Sequence, residues 1–386
     1  MTTNPTSDVI VVGAGVIGSA TAWHLARRGA RVRLIDQFEL GHKMGSSHGP
    51  SRIIRLAYET ADYVKLAHAA YARWRELEAE VGRMLMVRAG GFDFGAPDAF
   101  GLREIGDNYA ALGIAFDALD AAEIRYRFPQ FNPPEDSIGF YQADYSLLAA
   151  DDCVRAMAEQ AVAHGAHLNQ NETVIGVEPT VNGVRVATSA NTYEADRVVL
   201  CAGSWMLPIL QTLGINVQLQ VSREQVVFMA VKNPAEYSLG RFPLALQRYA
   251  NSRSLGSAFP IFNHTAPKFM VDRIGTPVAP DDPDRPINQD QLDITVDWAK
   301  QLMNGLTGDI VEVVSCRYTM TPDEDFILGT HPQYTQIVLA SPCSGHGFKF
   351  ASVIGDILTD LALTGNTAHD IGRFKHDRAG LAVNAL

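Results

Sequence analysis

The chain has 386 residues, 47% hydrophobic and 19% charged, which supports a large core and excludes a mainly disordered chain. At about 150 residues per domain, this length suggests two to three compact units. With 32 basic and 43 acidic residues the net charge is −11 and there is no basic block, which disfavours nucleic acid or an anionic membrane as partner. The four cysteines, Cys153, Cys201, Cys316 and Cys343, lie far apart without a CxxC pair. That argues against a disulfide scaffold or a zinc ribbon, suits a reducing compartment, and gives no reason to expect a metal.

The first long apolar run, Val9–Leu25, is broken by three glycines and follows a polar leader without Lys or Arg. This is neither the pattern of a signal peptide nor that of a membrane span. Val9–Val12 is a short β-branched run, Gly13-Ala14-Gly15-Val16-Ile17-Gly18 follows, Ser19–Arg28 has helical character, and a second apolar run, Val32–Ile35, ends at Asp36. Strand, tight turn, helix, strand and acid within about thirty residues form a dinucleotide-binding fingerprint. Gly13 allows the sharp turn, Gly15 lets a pyrophosphate approach the backbone, and Gly18 lets helix and strand pack closely. The phosphates then sit at the helix N-terminus, where free N–H groups and the dipole favour negative charge. Asp36 is placed to accept hydrogen bonds from an adenosine ribose. The fingerprint alone does not choose between NAD and FAD.

Ala61–Glu80 reads as a packing helix, with Tyr63, Leu66, Ala70, Trp74 and Leu77 at helical spacing. From about Gly90 to Leu148, short apolar runs mix with Gly and Pro and suggest a second domain. Asp151–His164 is another helix, with Gly165 just past its end. Val174–Pro179 and Val184–Thr188 flank Asn182-Gly183, a hairpin signal. Ala195–Trp205 is a strand running into a small-residue turn, either returning to the dinucleotide sheet beside the cofactor or an ordinary core strand. Val226–Val231 and Phe259–Phe262 are strands of the second domain, Thr276–Pro286 is a loop, and Asp290–Asn304 is a helix that Gly305 closes. The expected fold is α/β, a Rossmann-like domain interleaved with an α+β substrate domain that carries a mixed or antiparallel sheet. The dinucleotide domain takes residues 1–89, 150–222 and 320–386, and the substrate domain takes 90–149 and 223–319.

Three further segments carry a resemblance: Gly45-Ser46-Ser47-His48-Gly49-Pro50-Ser51-Arg52-Ile53-Ile54-Arg55, Cys316-Arg317-Tyr318-Thr319-Met320-Thr321-Pro322-Asp323-Glu324-Asp325-Phe326, and Ser344-Gly345-His346-Gly347-Phe348-Lys349-Phe350. With the fingerprint, and in this order over nearly the whole chain, they resemble the monomeric sarcosine oxidase and N-methyltryptophan oxidase family. The resemblance implies FAD and not NAD, and oxidation of a secondary amine, usually an N-substituted amino acid, by hydride transfer to flavin with oxygen reduced to hydrogen peroxide. It also implies a monomer that acts on small molecules.

Residue by residue, Cys316 matches the family cysteine that forms a thioether to the flavin 8-methyl carbon; the other three cysteines are read as core, with Cys343 near the ring. Arg55 and Lys349 match the pair that holds the substrate carboxylate, and Arg52 the arginine against the flavin ring, although the two arginines could exchange roles. Ser46, Ser47, His48 and Arg52 sit in a loop expected to cover the isoalloxazine. Gly345, Gly347 and Phe348 precede a helix, Phe350–Leu363, whose N-terminus would face the flavin N1 and C2 carbonyl; His346 takes a flavin-side or substrate-side contact. Lys268 matches the lysine thought to activate oxygen. Asp272 and Ser257 stand where the family has a histidine and a tyrosine near the substrate, Tyr318 is a further substrate contact, and Arg248 replaces a methionine. An extra cation suits a second anionic group, so a dicarboxylate such as iminodiacetate is expected over plain sarcosine. Competing readings are a dehydrogenase of the same fold with a quinone or protein acceptor, a non-catalytic flavin-binding protein, and an NAD enzyme. The terminal Asn384-Ala385-Leu386 is not an evident peroxisomal tripeptide, so the cytoplasm is expected.

Overall fold

The structure, a computed structural model, describes residues 7–282 and 287–381. The strand Ser7–Val12 lies between two parallel neighbours, Val32–Ile35 and Thr192–Leu200. His167–Asn169 extends this parallel sheet on one side and Ile337–Ser341 on the other. A strand with neighbours on both edges and helices over its face must be apolar throughout, and Val9 to Val12 are all buried. The helix Val16–Arg27 packs against the helices Ala150–Ala163 and Ala351–Thr364. Gly355 makes the second approach possible, because a Cβ there would lie 2.6 Å from the Ala20 carbonyl carbon. The segment 195–200 therefore does return to the dinucleotide sheet. The hairpin predicted around Asn182-Gly183 is present as Val174–Thr180 paired with Gly183–Thr188.

A second, mixed sheet forms the other unit. Its longest pair is Gln220–Val231 against Leu306–Met320. On the other edge of Gln220–Val231 come Lys268–Val271, Ser252–Phe259 and Leu244–Tyr249, all antiparallel. Leu244–Tyr249 then pairs in parallel with Gly91–Gly95, followed by Ile138–Gln142 and Asp117–Asp120. The strand Gln220–Val231 runs through the domain boundary placed at residue 222. A small sheet of Arg52–Ile54, Ser146–Leu148 and Met86–Arg88 completes the set.

The helix Ala61–Val81 buries the predicted stripe of Tyr63, Leu66, Ala70, Trp74 and Leu77. The helices expected at 151–164, 290–304 and 350–363 are Ala150–Ala163, Gln289–Leu302 and Ala351–Thr364. The strand expected at Phe259–Phe262 is displaced: it runs over Ser252–Phe259 and ends before Pro260, which has no N–H to continue a ladder. Of the loop expected at 276–286, Thr276–Pro277 is a short strand against Ser222–Arg223, and residues 283–286 lie outside the described residues, as do the terminal three.

One core histidine ties stability to pH. His24, fully buried in the first helix, donates from Nε2 to the Ser352 carbonyl at 2.9 Å, and its Nδ1 faces Arg27 Nη2 at 3.5 Å, the pattern of a neutral ring. Burial pushes its pKa from 6.5 down to about 4, against the pull of Asp356. The unfolded chain therefore binds the extra proton first. This contribution is complete above pH 6.5 and is lost as the pH falls through about 4. Thermal melts should show an acid limb worth on the order of 3–4 kcal/mol, at roughly 1.4 kcal/mol per pH unit. His24→Gln should flatten it; an unchanged limb would assign it to other groups.

Candidate active site

A cavity of about 530 Å³ is lined by both large sheets, a volume typical of small-ligand sites. At one end Asp36, at the tip of Val32–Ile35, accepts hydrogen bonds from the Ala14 N–H at 2.6 Å and the Phe38 N–H at 2.8 Å. Glu172, Thr173 and Val174 line the same end. In the middle, Gly13 has φ +98°, and a Cβ there would lie 2.5 Å from the Cys201 carbonyl oxygen. A Cβ on Gly18 would overlap the Gly13 carbonyl. Gly15 leaves room above the helix N-terminus, where Ser47 Oγ accepts from the Val16 N–H at 3.0 Å. The sharp turn at Gly13 and the tight packing at Gly18 are thus enforced sterically, and the helix dipole there favours an anion.

The other end is a box. Its floor is the second sheet, where pleating sends alternate residues to one face. Leu246 and Arg248, then Leu255, Ser257 and Phe259, then Lys268 and Met270 line the cavity from three adjacent strands. Val314, Cys316 and Tyr318 do so from Leu306–Met320. The roof is the loop through Ser46, Ser47 and His48, with Arg52 and the segment Gly345–Lys349. Gly345 has φ +77°, and a Cβ there would lie 2.6 Å from the Tyr318 ring; a Cβ on Gly347 would overlap the Pro342 carbonyl.

Cations crowd this box. Lys268 Nζ donates to the Ser51 carbonyl at 2.9 Å and to Ser51 Oγ at 2.7 Å, and sits 3.9 Å from the centre of the Phe259 ring. Burial, helped by the Arg52 charge, holds its pKa well below the lysine range. Arg52 donates to the carbonyls of Ser51, Ser46 and His48, and its guanidinium lies 5.6 Å from the Phe348 ring centre. Ser46 Oγ donates to the Arg317 carbonyl, closing the loop onto the Cys316 strand. Burial pushes the Cys316 thiol up to about 11, while Arg52 pulls it the other way. Cys343 Sγ accepts from the Thr319 N–H at 3.3 Å.

Beyond the ring-sized space, Tyr58 organises a chamber. Lys349 Nζ donates to Tyr58 Oη at 2.9 Å and to the His346 carbonyl at 2.8 Å. Tyr58 Oη in turn lies 3.3 Å from His346 Nδ1, and His346 Nε2 lies 3.2 Å from the Glu324 carbonyl. That carbonyl can only accept, so the proton belongs on Nε2 and Nδ1 accepts from Tyr58. Burial first, then the Lys349 charge, keeps His346 neutral by depressing its pKa; burial, then Arg55, depresses Lys349. Arg55 lies 5.0 Å from the Tyr58 ring centre, donates to the Ala57 carbonyl, and stands 3.6 Å from Asp93. Its Nε is buried without a hydrogen-bond partner, so its hydrogen-bonding capacity is unfilled. Asp272 is fully engaged, accepting from the Leu255 N–H and from Arg273, both at 2.6 Å.

An adenosine end with an acid, a glycine-enforced anion cradle, and a ring-sized box carrying a thiol and cations together fit FAD. The sequence pattern of the FAD dependent oxidoreductase family, DAO, matches residues 8–361. This chain belongs to that family. Within the DAO family it is 35% identical to the monomeric sarcosine oxidase of Streptomyces avermitilis over 98% of this chain and 99% of that protein. It is 32% identical to the human peroxisomal sarcosine oxidase over 96% of each. Among solved structures, the open form of NikD, described as an unusual amino acid oxidase essential for nikkomycin biosynthesis, superposes with a TM-score of 0.86 at 26% identity. That match covers 96% of this chain and 98% of that one.

The residues expected from the sequence meet in this one cavity: Gly13, Gly15, Asp36, Ser46, Ser47, His48, Arg52, Arg55, Arg248, Ser257, Lys268, Asp272, Cys316, Tyr318, Gly345, His346, Gly347, Phe348 and Lys349 all line it. Gly18 sits just behind, against Gly13. Cys201, read as core, and Cys343, read as core near the ring, also line it, because each follows a strand that ends at its wall. Tyr58, Arg273 and Asp93 were not anticipated. Asp93 had a signal in the sequence: a lone acid in the apolar strand Gly91–Gly95 needs a buried cation.

Proposed function

We propose that this protein oxidises a secondary amine that bears a carboxylate, an N-substituted amino acid such as sarcosine or an N-carboxymethyl amine, with FAD as hydride acceptor and oxygen reduced to hydrogen peroxide. The observation that carries the reading is the pair of buried basic side chains, Arg55 and Lys349, meeting at Tyr58 in a chamber that adjoins the box. Gly13, Gly15, Gly18 and Asp36 would hold the dinucleotide. Ser46, Ser47, His48, Arg52, Gly345, Gly347, Phe348 and Lys349 would surround the ring, and Cys316 Sγ would carry it through a thioether at the 8-methyl carbon. Bound there, FAD supplies the two-electron redox chemistry, which the protein itself lacks.

The protein's own contribution is positional and electrostatic. Arg55 and Lys349 bind the substrate carboxylate, for which a dry site without cations would be prohibitive. That salt bridge fixes the carbon beside nitrogen against the ring space, so little motion is needed for transfer. The same cations disfavour an ammonium in the chamber, so the amine enters neutral. His346, neutral and tied to the Glu324 carbonyl, holds Tyr58 and through it Lys349. Lys268, on the floor, is the fixed charge that favours electron transfer to oxygen. No helix among the described residues is long and apolar enough to cross a membrane. The reading takes the protein as a monomer that meets its small-molecule substrate in the cytoplasm.

Anaerobic mixing with sarcosine and related N-substituted amino acids should bleach the flavin. Arg55→Met should raise the half-saturating concentration about a hundredfold or more, the scale of a buried charge pair left without its partner. If no carboxylate-bearing secondary amine bleaches the flavin, the assignment falls. Bleaching without oxygen consumption in air would identify a different electron acceptor.

A further inference from the structure

The chamber holds one more cation than a single carboxylate requires. Arg248 lies on the floor strand opposite Leu255, and its side chain is 6% exposed. Its Nε donates to Asp93 Oδ1 at 2.8 Å and its Nη1 to the Phe100 carbonyl at 3.1 Å. Its Nη2 is left without a hydrogen bond among the described residues, although Arg248 lines the cavity. Were Arg248 only a structural partner of Asp93, the pair would be neutral. Arg55, however, stands 3.6 Å from that same Asp93 oxygen, so one carboxylate answers two guanidiniums. Lys349 adds a third basic side chain to the chamber around this one completely buried carboxylate. The neighbouring Arg273 and Arg253 are balanced by Asp272 and Glu324. Glu59, which also lines the cavity, comes within 3.9 Å of Arg248 Nη1 with 29% of its side chain exposed, a contact longer than a hydrogen bond.

A monocarboxylate held by Arg55 and Lys349 leaves the Arg248 Nη2 donor unused, and an unfilled buried donor is costly. We infer that the site is built for a dicarboxylic secondary amine, whose first carboxylate lies between Arg55 and Lys349 and whose second is held by Arg248, with the Ser257 hydroxyl on the adjacent strand as a further donor. This rests on the amine-oxidase reading above and narrows its substrate class. Asp93 is the positioning residue. It accepts from Arg248 and from Tyr145 Oη, and it sets the spacing of the two guanidiniums. Its carboxyl stays ionised because Arg55 and Arg248 outweigh the effect of burial.

The test uses the flavin-loaded enzyme and two thioethers that mimic the amines but cannot be oxidised in the same way: thiodiglycolate, with two carboxylates, and (methylthio)acetate, with one. Each is titrated while the flavin absorbance is followed. The dicarboxylate should bind about tenfold or more tightly than the monocarboxylate, the scale of one added charge-assisted interaction. Arg248→Met leaves Asp93 with one arginine fewer and risks misfolding, so the double variant D93N/R248M, which removes the pair together, is measured beside it. In either folded variant the ratio of the two dissociation constants should fall to within about twofold, by the same arithmetic. A ratio near one in the unmodified enzyme, or one that the variants leave intact, overturns the inference and leaves the amine-oxidase reading standing. If neither thioether perturbs the flavin, the carboxylate grip of Arg55 and Lys349 fails too, and the inference fails with it.

Discussion

Lys268→Met is expected to slow reoxidation of the reduced enzyme by oxygen at least a hundredfold, the usual scale for removing a preorganised charge from a developing anion. The first electron given to oxygen makes superoxide, and a fixed cation lowers that barrier. Lys268 is fixed: two hydrogen bonds to Ser51 and the Phe259 ring below leave its ammonium little freedom. Methionine keeps the length and removes only the charge. Stopped-flow mixing separates the two half-reactions. The oxidative one should fall far more than the reductive one, and Lys268→Arg should recover most of the loss. Burial and Arg52 depress the Lys268 pKa, and the cation exists only below that pKa. Reoxidation should therefore decline with rising pH well before the range of an ordinary lysine. An oxidative rate untouched by the substitution would remove Lys268 from the reaction.

Cys316→Ala should convert a flavin retained in acid-precipitated protein into one released entirely to the supernatant. Cys316 occupies an inward-facing position of the strand Leu306–Met320, between Val314 and Tyr318, with Arg52 and Lys268 both acting on its thiol. Burial raises the thiol to about 11, so attachment needs those two cations to favour the thiolate. Arg52→Met should accordingly slow the appearance of bound flavin when apoprotein is reconstituted. Cys343 lines the same cavity, but its sulfur is taken up by the Thr319 N–H, and Cys343→Ala should retain the chromophore. A colourless pellet from the unmodified protein would show that no such bond forms.

What was legible in the sequence follows from how locally each feature is encoded. Gly13 through Asp36 spans one strand–turn–helix–strand unit, and Gly13 and Gly18 are enforced by the segment after the strand Thr192–Leu200 and by each other. Arg55, Cys316 and Lys349 could be picked out because each sits in a distinctive short motif. Tyr58 could not. It is three residues from Arg55, but its importance comes from Lys349 and His346, almost three hundred residues away. Asp93 meets Arg248 only because Gly91–Gly95 and Leu244–Tyr249 pair in parallel across the sheet. The strand expected at Phe259–Phe262 followed an apolar run, but the ladder with Lys268–Val271 ends at Phe259, before Pro260, and so lies N-terminal to it. Cys201 is buried as expected and also lines the cavity, because the strand before it ends at the cavity wall.

The nucleotide nest is assembled from both extremes of the polypeptide. Its glycine turn comes from residues 13–18, and the strand and roof that finish it come from Ile337–Ser341 and Gly345–Phe348. A ribosome adding about 5–20 residues per second needs on the order of half a minute between them. Nascent chains therefore emerge without a completed place for the cofactor, and vitamin supply acts on finished polypeptides alone. Translation products halted before residue 337 would remain apoprotein however abundant riboflavin is, with the edge of Val198–Leu200 still unpaired for quality control to recognise.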